Sequence, residues 1–321
     1  CDVKDTTATL LERLRAPLPF APETPHWDGE AGRCDCRMPV SQSESGKCKW
    51  PSGGDELPTF TVIQSLIDLR RQNRNSCDYL EFLVPHLRRH VHLVIFLEEW
   101  AEPFVREARE LLGLTSMTLL RILQPDSPMV FYSMLPRMQQ AADRNFLWHW
   151  FTGFRAGKPE KLMASYGWMN HQKIDFIRQV TDANPFNTTY FAWIDAGAGH
   201  GHISLPQHFC GCNLAVPGTV TVFHREPTEE KLLEALKEVT LDKYMSSLWW
   251  SRHLELIMGG FWGGDARALK MYFEDYYATV TTLLDSGHVD DDQAIMMLIA
   301  NRRPRYMRYL PSGWYGHSDI C

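Results

Sequence analysis

The sequence predicts an α/β fold whose central sheet is mostly parallel and flanked by helices. Three apolar runs have the length of strands buried on both faces, namely residues 60–67, 93–97 and 190–194. Segments with helical spacing of apolar residues lie between these runs. Strands that alternate with helices in this way are typical of parallel sheets, and no internal repeat is visible, so we expect one α/β domain.

The chain opens with a short amphipathic helix predicted over residues 3–15. From Pro17 to Pro58 the sequence is rich in Pro, Gly, Ser and Cys. This composition predicts an irregular extension held by disulfides, with partial disorder as the alternative. We therefore divide the chain into a disulfide-rich N-terminal extension, residues 1–57, and an α/β domain, residues 58–321.

The remaining elements of the domain follow from local spacing. The clearest helix begins after Asp265, its predicted N-cap, and ends at Gly287, because glycine favours the positive φ of a helix end. An apolar triplet at residues 129–131 predicts a further strand. The other predicted helices cover residues 79–89, 101–112, 135–153, 171–183, 227–239 and 294–300.

The bulk composition describes a folded protein and excludes some function classes. Hydrophobic residues make up 44% of the chain and charged residues 22%, which is ordinary for a globular protein. The net charge of -6 gives no reason to expect nucleic-acid binding. No apolar run reaches the roughly 18 residues of a spanning helix, so we expect membrane attachment only through an anchor absent from this chain.

The cysteines predict an oxidising compartment. The chain has eight of them, an even number that favours disulfides. The pairs Cys34/Cys36 and Cys210/Cys212 are too close for the usual structural zinc site. A sequon at Asn187 agrees with secretory passage, and the first residue is Cys rather than Met, which we interpret as a processed product. We expect the protein in the secretory pathway lumen (Golgi or endoplasmic reticulum), or in an extracellular or periplasmic space.

Asp195 is the strongest single candidate for chemistry. It follows the apolar run at 190–194, and ligands of α/β sheets bind beyond the carboxyl ends of the strands. Gly197 would let a ligand approach the backbone closely. A divalent cation prefers hard oxygen ligands and bridges phosphate oxygens, so the predicted ligand is a metal-bound diphosphate. Capping of the next turn is the structural alternative for this carboxylate.

Residues 258–264 place four glycines around two aromatic rings and include Gly260 and Trp262. This composition predicts either a tight strand–loop–helix junction or a floor on which a flat sugar ring rests. The spacing fits neither a dinucleotide fingerprint nor a P-loop.

Three successive acids, residues 290–292, precede a predicted helix. The helix dipole explains at least one of them, and another is expected to act as a base on an acceptor hydroxyl or as an electrostatic partner of a sugar. The tail around His317 predicts a loop that folds back over a site, where imidazole would complement a carboxylate on manganese. Arg70 and Lys173 are candidates for the positive charge that a diphosphate needs.

In this order along the chain, the motifs resemble those of the bacterial HtrL/YibB family, a group of glycosyltransferase-like proteins of GT-A type. The resemblance spans roughly residues 58–317 and leaves the Cys-rich start uncovered. It rests on Thr61-Val62-Ile63 leading to Asp68 and Arg70, on Leu93-Val94-Ile95-Phe96, on Asn184-Pro185-Phe186 with Trp193-Ile194-Asp195-Ala196-Gly197, on Gly259-Gly260-Phe261-Trp262-Gly263-Gly264, and on Asp292-Gln293.

The resemblance implies a glycosyltransferase that moves a sugar from a nucleoside diphosphate sugar, UDP-linked by expectation, to an acceptor hydroxyl on a glycan or glycoprotein. It implies that a divalent metal, Mn²⁺ or Mg²⁺, is held by Asp195 and His317, and that the catalytic or sugar-facing pair is Asp292 and Gln293. The nucleotide-binding residues are then Ser65, Arg70, Lys173, Asp195 and Gly197, and the sugar and acceptor contacts are Gly260, Trp262 and Trp314.

The sequence departs from the usual pattern of this fold at one point. GT-A enzymes usually carry Asp-x-Asp at the end of the central strand, whereas Asp195-Ala196-Gly197 lacks the second carboxylate. Either another ligand completes the metal site or there is no metal. The alternative function is therefore a non-catalytic glycan- or nucleotide-binding protein on the same fold. A metal-dependent phosphohydrolase is disfavoured by the few clustered His and Asp residues, and no serine-hydrolase elbow or HExxH motif exists.

Overall fold

The computed structural model describes residues 2–15, 59–69, 74–144, 163–198, 211–240, 242 and 256–312, and the backbone alone at 27–28, 33–34 and 212. The described residues belong to two units. The first takes its residues from Cys1–Pro125 and Ala183–Pro217, and the second from Asp126–Asp182 and Gly218–Trp314.

The first unit contains a four-stranded parallel sheet. Its strands are β3 (Phe60–Leu66), β4 (His92–Leu97), β5 (Thr118–Ile122) and β6 (Tyr190–Ile194). Their spatial order is β5-β4-β3-β6, and each neighbouring pair is parallel. All five residues of β6 are buried, as expected for a strand covered on both faces. Two short strands, β1 (Trp27–Asp28) and β2 (Arg33–Cys34), form a separate antiparallel pair.

Three helices accompany the parallel sheet of the first unit. They are α1 (Val3–Arg15), α2 (Ser76–Leu87) and α3 (Glu102–Leu111). Asn75 and Asp78 form a reciprocal capping box at the start of α2, which satisfies backbone donors that the first helical turn leaves unpaired. Helix α1 contacts both α2 and α3 through its leucine-rich face.

The second unit combines a small mixed sheet with long helices. In it β7 (Val220–His224) runs antiparallel to β8 (Ile257–Asp265) and parallel to β9 (Met307–Pro311). The side chain of Asp265 accepts from the backbone N–H of Ala268 at 2.9 Å and caps the helix that follows. The helices of this unit are α4 (Leu135–Arg144), α5 (Ala164–Ala183), α6 (Glu229–Leu236), α7 (Ala266–Asp285) and α8 (Asp292–Asn301). The last residue of α5, Ala183, belongs to the first unit.

The predicted α/β class is confirmed. Within the two units, four of the six described strand pairings are parallel, and helices accompany the four-stranded and the three-stranded sheet. The three strands and the helices predicted from spacing are present, and Gly287 follows the end of α7 with a φ of 79°. The predicted helix over 135–153 is described only to Arg144. The cysteine side chains at 1–57 fall outside the described residues, so the disulfide-rich extension and the boundary at 57/58 stay predictions.

The strand predicted at residues 129–131 is wrong. The backbone N–H groups of Val130 and Phe131 donate to the side chains of Asp175 and Gln172 at 3.2 Å each, instead of to a neighbouring strand. A 3-10 helix, Tyr132–Met134, follows at once. Residues 129–131 are therefore apolar because Phe131 is buried, and not because the segment is a strand of a sheet.

Helices in the described part of the chain are all too short or too polar to cross a membrane.

Candidate functional site

Asp195 lies directly beyond the carboxyl end of β6, in the first unit, and its side chain is partly exposed. The indole N–H of Trp193 donates to its Oδ1 at 2.7 Å, which fixes the orientation of the carboxylate. Ser65 lies two residues beyond Ile63, which pairs with Trp193 across β3 and β6. Ser65 and Asp195 are therefore at the same level of the sheet, at the edge where α/β folds bind ligands.

A tight turn follows Asp195. The backbone N–H of Ala198 donates to the carbonyl oxygen of Asp195 at 2.9 Å. At Gly197 a Cβ atom would lie 3.7 Å from the ring of Tyr79 and 3.8 Å from that of Phe82, which are ordinary contacts. Packing within the protein therefore does not require glycine here, and the predicted close approach of a ligand to Gly197 stays a prediction.

A buried hydrogen-bond chain supports this turn. The amide nitrogen of Gln64, on β3, is 3.1 Å from Nδ1 of His86, and Nε2 of His86 is 3.1 Å from the carbonyl oxygen of Ala198. An amide NH₂ can only donate, so Nδ1 accepts and Nε2 carries the proton that it donates to Ala198. The chain thus ties the turn after Asp195 to β3 and α2. His86 was not predicted from the sequence, because it stands in an ordinary helical pattern.

Two further acids follow neighbouring strands of the first unit. The Oε2 atom of Glu98 accepts from the backbone N–H of Asp68 and from the indole N–H of Trp100, both at 2.8 Å. Asp68 in turn accepts from the hydroxyl of Ser76 at 2.9 Å. These contacts hold the loops in place. In the described portion of the chain no three His, Cys, Asp or Glu side chains gather into a metal-binding group.

The second unit holds a buried ion pair. The ammonium of Lys173, on α5, lies 2.8 Å from Oδ2 of Asp292, the first residue of α8. The two side chains are only 9% and 7% exposed. A buried charge is stable only when it is paired and hydrogen-bonded, so each residue depends on the other. Lys173 and Asp292 were predicted to bind the nucleotide and the sugar separately, whereas the structure brings them together.

Gly259, on β8, packs directly against this carboxylate. A Cβ atom at this position would lie 2.4 Å from Oδ2 of Asp292, 2.7 Å from its Cγ and 2.9 Å from its Oδ1. Real Cβ atoms do not approach so closely, so a residue with a side chain would displace Asp292. The glycine-rich segment is therefore a strand, and glycine is required at Gly259 to leave space for the Asp292 carboxylate, which was not predicted from the sequence. The predicted sugar contact, Gly260, is its partly exposed neighbour and does not make this contact.

The three successive acids have separate roles. Asp290 accepts from the backbone N–H of Asp291 at 2.7 Å. Asp291 is the N-cap of α8 and accepts from Ala294 at 3.2 Å. That leaves Asp292 for the ion pair with Lys173. The neighbouring Gln293 donates through its Nε2 to the carbonyl oxygen of Ile257 at 2.9 Å, which joins α8 to β8.

Buried titratable groups surround the ion pair. His171 is 2.9 Å from the hydroxyl of Tyr276, and burial lowers the pKa of His171 to about 4, so its imidazole is neutral at pH 7. Burial, assisted by the negative charge of Asp292, raises the pKa of Tyr276 well above its usual range. Burial and then the charge of Asp291 raise the pKa of Tyr166 to about 12. The cluster therefore contains one fixed ion pair and several neutral hydrogen-bonding groups.

Trp262 requires a correction. Its side chain is 1% exposed, and its ring packs edge-to-face on Tyr272 with centroids 5.4 Å apart. It is a core residue of the second unit and offers no surface to a sugar. The predicted site residues Arg70, Trp314 and His317 fall in segments that the structure does not describe. The structure thus brings Lys173, Asp292 and the glycine-rich strand together in the second unit, and it places Ser65, Asp195 and Gly197 in the first.

Comparison with known proteins gives a family and a distant structural similarity. The family model described as "Bacterial protein of unknown function (HtrL_YibB)" matches residues 60–318. No curated protein matches the chain. Among solved structures, the crystal structure of mouse xyloside xylosyltransferase 1 in its apo form is similar at 11% identity, with 79% of this chain and 84% of that chain covered and a TM-score of 0.38.

Proposed function

We propose that this chain, which belongs to the HtrL_YibB family, is a glycosyltransferase of GT-A type. The proposed reaction moves a sugar from a nucleoside diphosphate sugar, specifically a UDP-sugar, to an acceptor hydroxyl on a glycan or glycoprotein. One observation carries the proposal: the partly exposed carboxylate of Asp195 stands at the carboxyl end of a buried parallel strand and is held there by Trp193.

The first unit is proposed to bind the nucleotide diphosphate. Ser65 and Asp195 are level with each other on adjacent parallel strands, and the turn that contains Gly197 is braced by His86. A hydroxyl and turn amides donate to phosphate oxygens, whereas a carboxylate accepts from ribose hydroxyls or holds a cation that the phosphates share. Arg70 follows β3 in the sequence and is proposed to supply positive charge to the diphosphate.

A divalent metal, Mn²⁺ or Mg²⁺, is proposed on Asp195 and His317. The carboxylate is a hard oxygen donor on a partly exposed edge, and the hydrogen bond from Trp193 orients it as metal-ligating carboxylates are commonly oriented. When bound, such a cation neutralises the charge that develops on the leaving nucleoside diphosphate.

Asp292 and Gln293 are proposed to face the donor sugar. Asp292 is fixed by Lys173 and Gly259, so it offers a carboxylate acceptor whose position does not have to reorganise during the reaction. Because this carboxylate already accepts from an ammonium, we propose that it orients a sugar hydroxyl and does not act as the base that removes a proton. Gly260 and Trp314 stay proposed as sugar and acceptor contacts.

The compartment and the domain division belong to the same proposal. Eight cysteines and the Asn187 sequon support passage through the secretory lumen, or an extracellular or periplasmic location. Residues 1–57 are proposed as a disulfide-rich extension of the glycosyltransferase domain at 58–321.

The proposed function is tested by supplying the full chain with Mn²⁺, a panel of nucleoside diphosphate sugars and simple glycan acceptors. The measurement is release of the nucleoside diphosphate. We expect release with a UDP-sugar, loss of release in Asp195→Asn, and retention in Asp126→Asn, which changes an exposed acid elsewhere. The absence of release with every donor and acceptor would overturn the assignment.

A non-catalytic glycan- or nucleotide-binding protein is the second candidate. It is favoured by one observation, the lack of a second carboxylate in Asp195-Ala196-Gly197. Calorimetry separates the two functions, because a binding module takes up sugar without metal and tolerates Asp195→Ala, whereas a metal-assisted transferase does neither.

A further inference from the structure

We propose that Lys173 is a positioning residue, which holds the carboxylate of Asp292 in place for the donor sugar instead of contacting the nucleotide, and that Gly259 is the residue that makes room for this carboxylate. The inference rests on the proposed function, since it assigns roles within the same reaction. It departs from the sequence-based expectation, in which Lys173 bound the diphosphate.

The burial of Lys173 carries the first step. Its side chain is 9% exposed, and its ammonium lies 2.8 Å from Asp292 Oδ2. A lysine ammonium is strongly hydrated in water, and its burial is compensated here by pairing with a carboxylate. One of its N–H donors is directed at Asp292, and the low exposure of the side chain restricts the access of a diphosphate to the other two. The ion pair therefore favours a role through Asp292 over a role at the nucleotide.

Contacts from three elements carry the second step. Lys173 on α5 holds Oδ2, while Oδ1 accepts from the backbone N–H of Gln293 on α8 at 3.1 Å. Gly259 on β8 closes the third side, since an added Cβ would overlap all three carboxyl atoms within 3 Å. Both oxygens are thus oriented by hydrogen bonds and the whole group is confined sterically.

The first experiment is a double-mutant cycle in the full chain with Lys173→Met, Asp292→Asn and the double variant. Lys270→Met, at an exposed lysine of α7, is the matched control. We expect each single variant to lower kcat by about 100-fold, because small misplacements of a sugar-orienting group have effects of this size. The double variant should be no slower than the slower single, while KM for the UDP-sugar and the Kd for UDP change by less than about twofold.

The opposite pattern would overturn the inference. A nucleotide contact at Lys173 predicts that Lys173→Met raises the Kd for UDP and KM about tenfold at unchanged kcat, and that its effect multiplies with that of Asp292→Asn. Lys173→Arg keeps the charge and is expected to recover part of kcat, and the Tm of each variant, measured at the same time, separates this recovery from a recovery of folding.

Gly259→Ala tests the steric step. We expect it to lower kcat without raising the Kd for UDP, because the added methyl displaces Asp292, which is proposed to face the sugar and not the nucleotide. Gly167→Ala is the matched control, since its Cβ would lie at an ordinary 3.7 Å from Val289. Retention of full kcat in Gly259→Ala would overturn the steric part of the inference.

Failure of the proposed function is distinguishable from failure of this inference. If the wild-type chain releases no nucleoside diphosphate with any donor, the transferase assignment falls. The Lys173–Asp292 coupling is then measured by thermal unfolding of the same cycle. A combined loss of Tm smaller than the sum of the single losses supports the pairing, and additive losses overturn it.

Discussion

The ammonium of Lys173 and the carboxylate of Asp292 lie 2.8 Å apart although 119 positions separate them in the sequence. The pair joins α5 to the first residue of α8, and both side chains are buried. It is therefore a long-range contact that fixes a polar group inside the second unit, beside the glycine-rich strand β8.

Removal of Lys173 should destabilise the fold strongly. Lys173→Met leaves the buried Asp292 carboxylate without its ammonium partner, and breaking a buried pair in this way costs about 3–5 kcal/mol. The measurement is the free energy of unfolding from urea denaturation. Lys270→Met, at an exposed position, should stay within about 0.5 kcal/mol of wild type. A loss at Lys173 as small as that of this control would contradict the importance of the pair.

Two glycines of the second unit should respond oppositely to alanine. At Gly264 an added Cβ would lie 2.2 Å from the carbonyl oxygen of Thr219, a backbone atom that cannot move aside as a flexible side chain can. We expect Gly264→Ala to lower the free energy of unfolding by about 1–3 kcal/mol or more. Gly167→Ala, inside helix α5, should be neutral or gain up to about 1 kcal/mol. Thermal unfolding measures both, and equal Tm values for the two variants would contradict the packing at Gly264.

The stability of the second unit should depend on pH through His171. Burial lowers the pKa of His171 to about 4. Between pH 6.5 and pH 4 the His171 imidazole is therefore protonated in the unfolded chain but stays neutral in the folded protein. The stabilisation from this residue is therefore complete above pH 6.5 and decreases by about 1.4 kcal/mol per pH unit as the pH falls toward 4. His224 shifts in the same direction, again through burial, with a pKa lowered to about 4.

The test compares wild type, His171→Asn and the exposed-site control His90→Asn by urea denaturation at pH values of about 7, 6 and 5. The difference between pH 7 and pH 5 should be smaller in His171→Asn than in the other two proteins. His224 keeps its own share of the acid sensitivity in all three. An identical pH dependence in all three would show that His171 takes up its proton in the folded state as it does in the unfolded one.

His86 should support the turn after Asp195. His86→Phe removes the bridge between Gln64 and the carbonyl oxygen of Ala198 and leaves buried polar groups without that partner, at a cost of about 1–3 kcal/mol. We also expect weaker binding of UDP with Mn²⁺, measured by calorimetry, because the turn that carries Gly197 loses its brace. His90→Phe, at an exposed position, is the control. If His86→Phe lowers the stability but binds UDP with Mn²⁺ as tightly as the wild type, the proposed role of His86 in the ligand site is contradicted.

Local pattern was sufficient for much of the fold. The strands at Phe60–Leu66, His92–Leu97 and Tyr190–Ile194 follow from runs that are mostly apolar, and the cap at Asp265 follows from its position before helical sequence. Residues 129–131 were wrongly predicted as a strand because their backbone donors are satisfied by side chains from α5, which no local pattern reveals. For residues 258–264 the sequence left a strand–loop–helix junction and a sugar-binding floor as alternatives, and the segment lies within strand β8. Two of its four glycines, Gly259 and Gly264, are explained by close neighbours at Asp292 and Thr219.

The candidate site was predictable only in part for the same reason. Asp195 is found from its place at a strand end, and Asp292 from an excess of acids before a helix. The partners of these residues lie far away in the sequence. Neither the ion pair with Lys173 nor the brace at His86 has a local signature, and the burial of Trp262 depends on packing against Tyr272.

The most direct test of the central claim, that Asp195 holds a metal-bound diphosphate, is calorimetric titration of UDP into the full chain with and without Mn²⁺. We predict that the wild type binds UDP in a Mn²⁺-dependent way and that Asp195→Asn loses this dependence, while Asp126→Asn keeps it. Binding of UDP that is equally strong without metal, or unchanged in Asp195→Asn, would contradict the account.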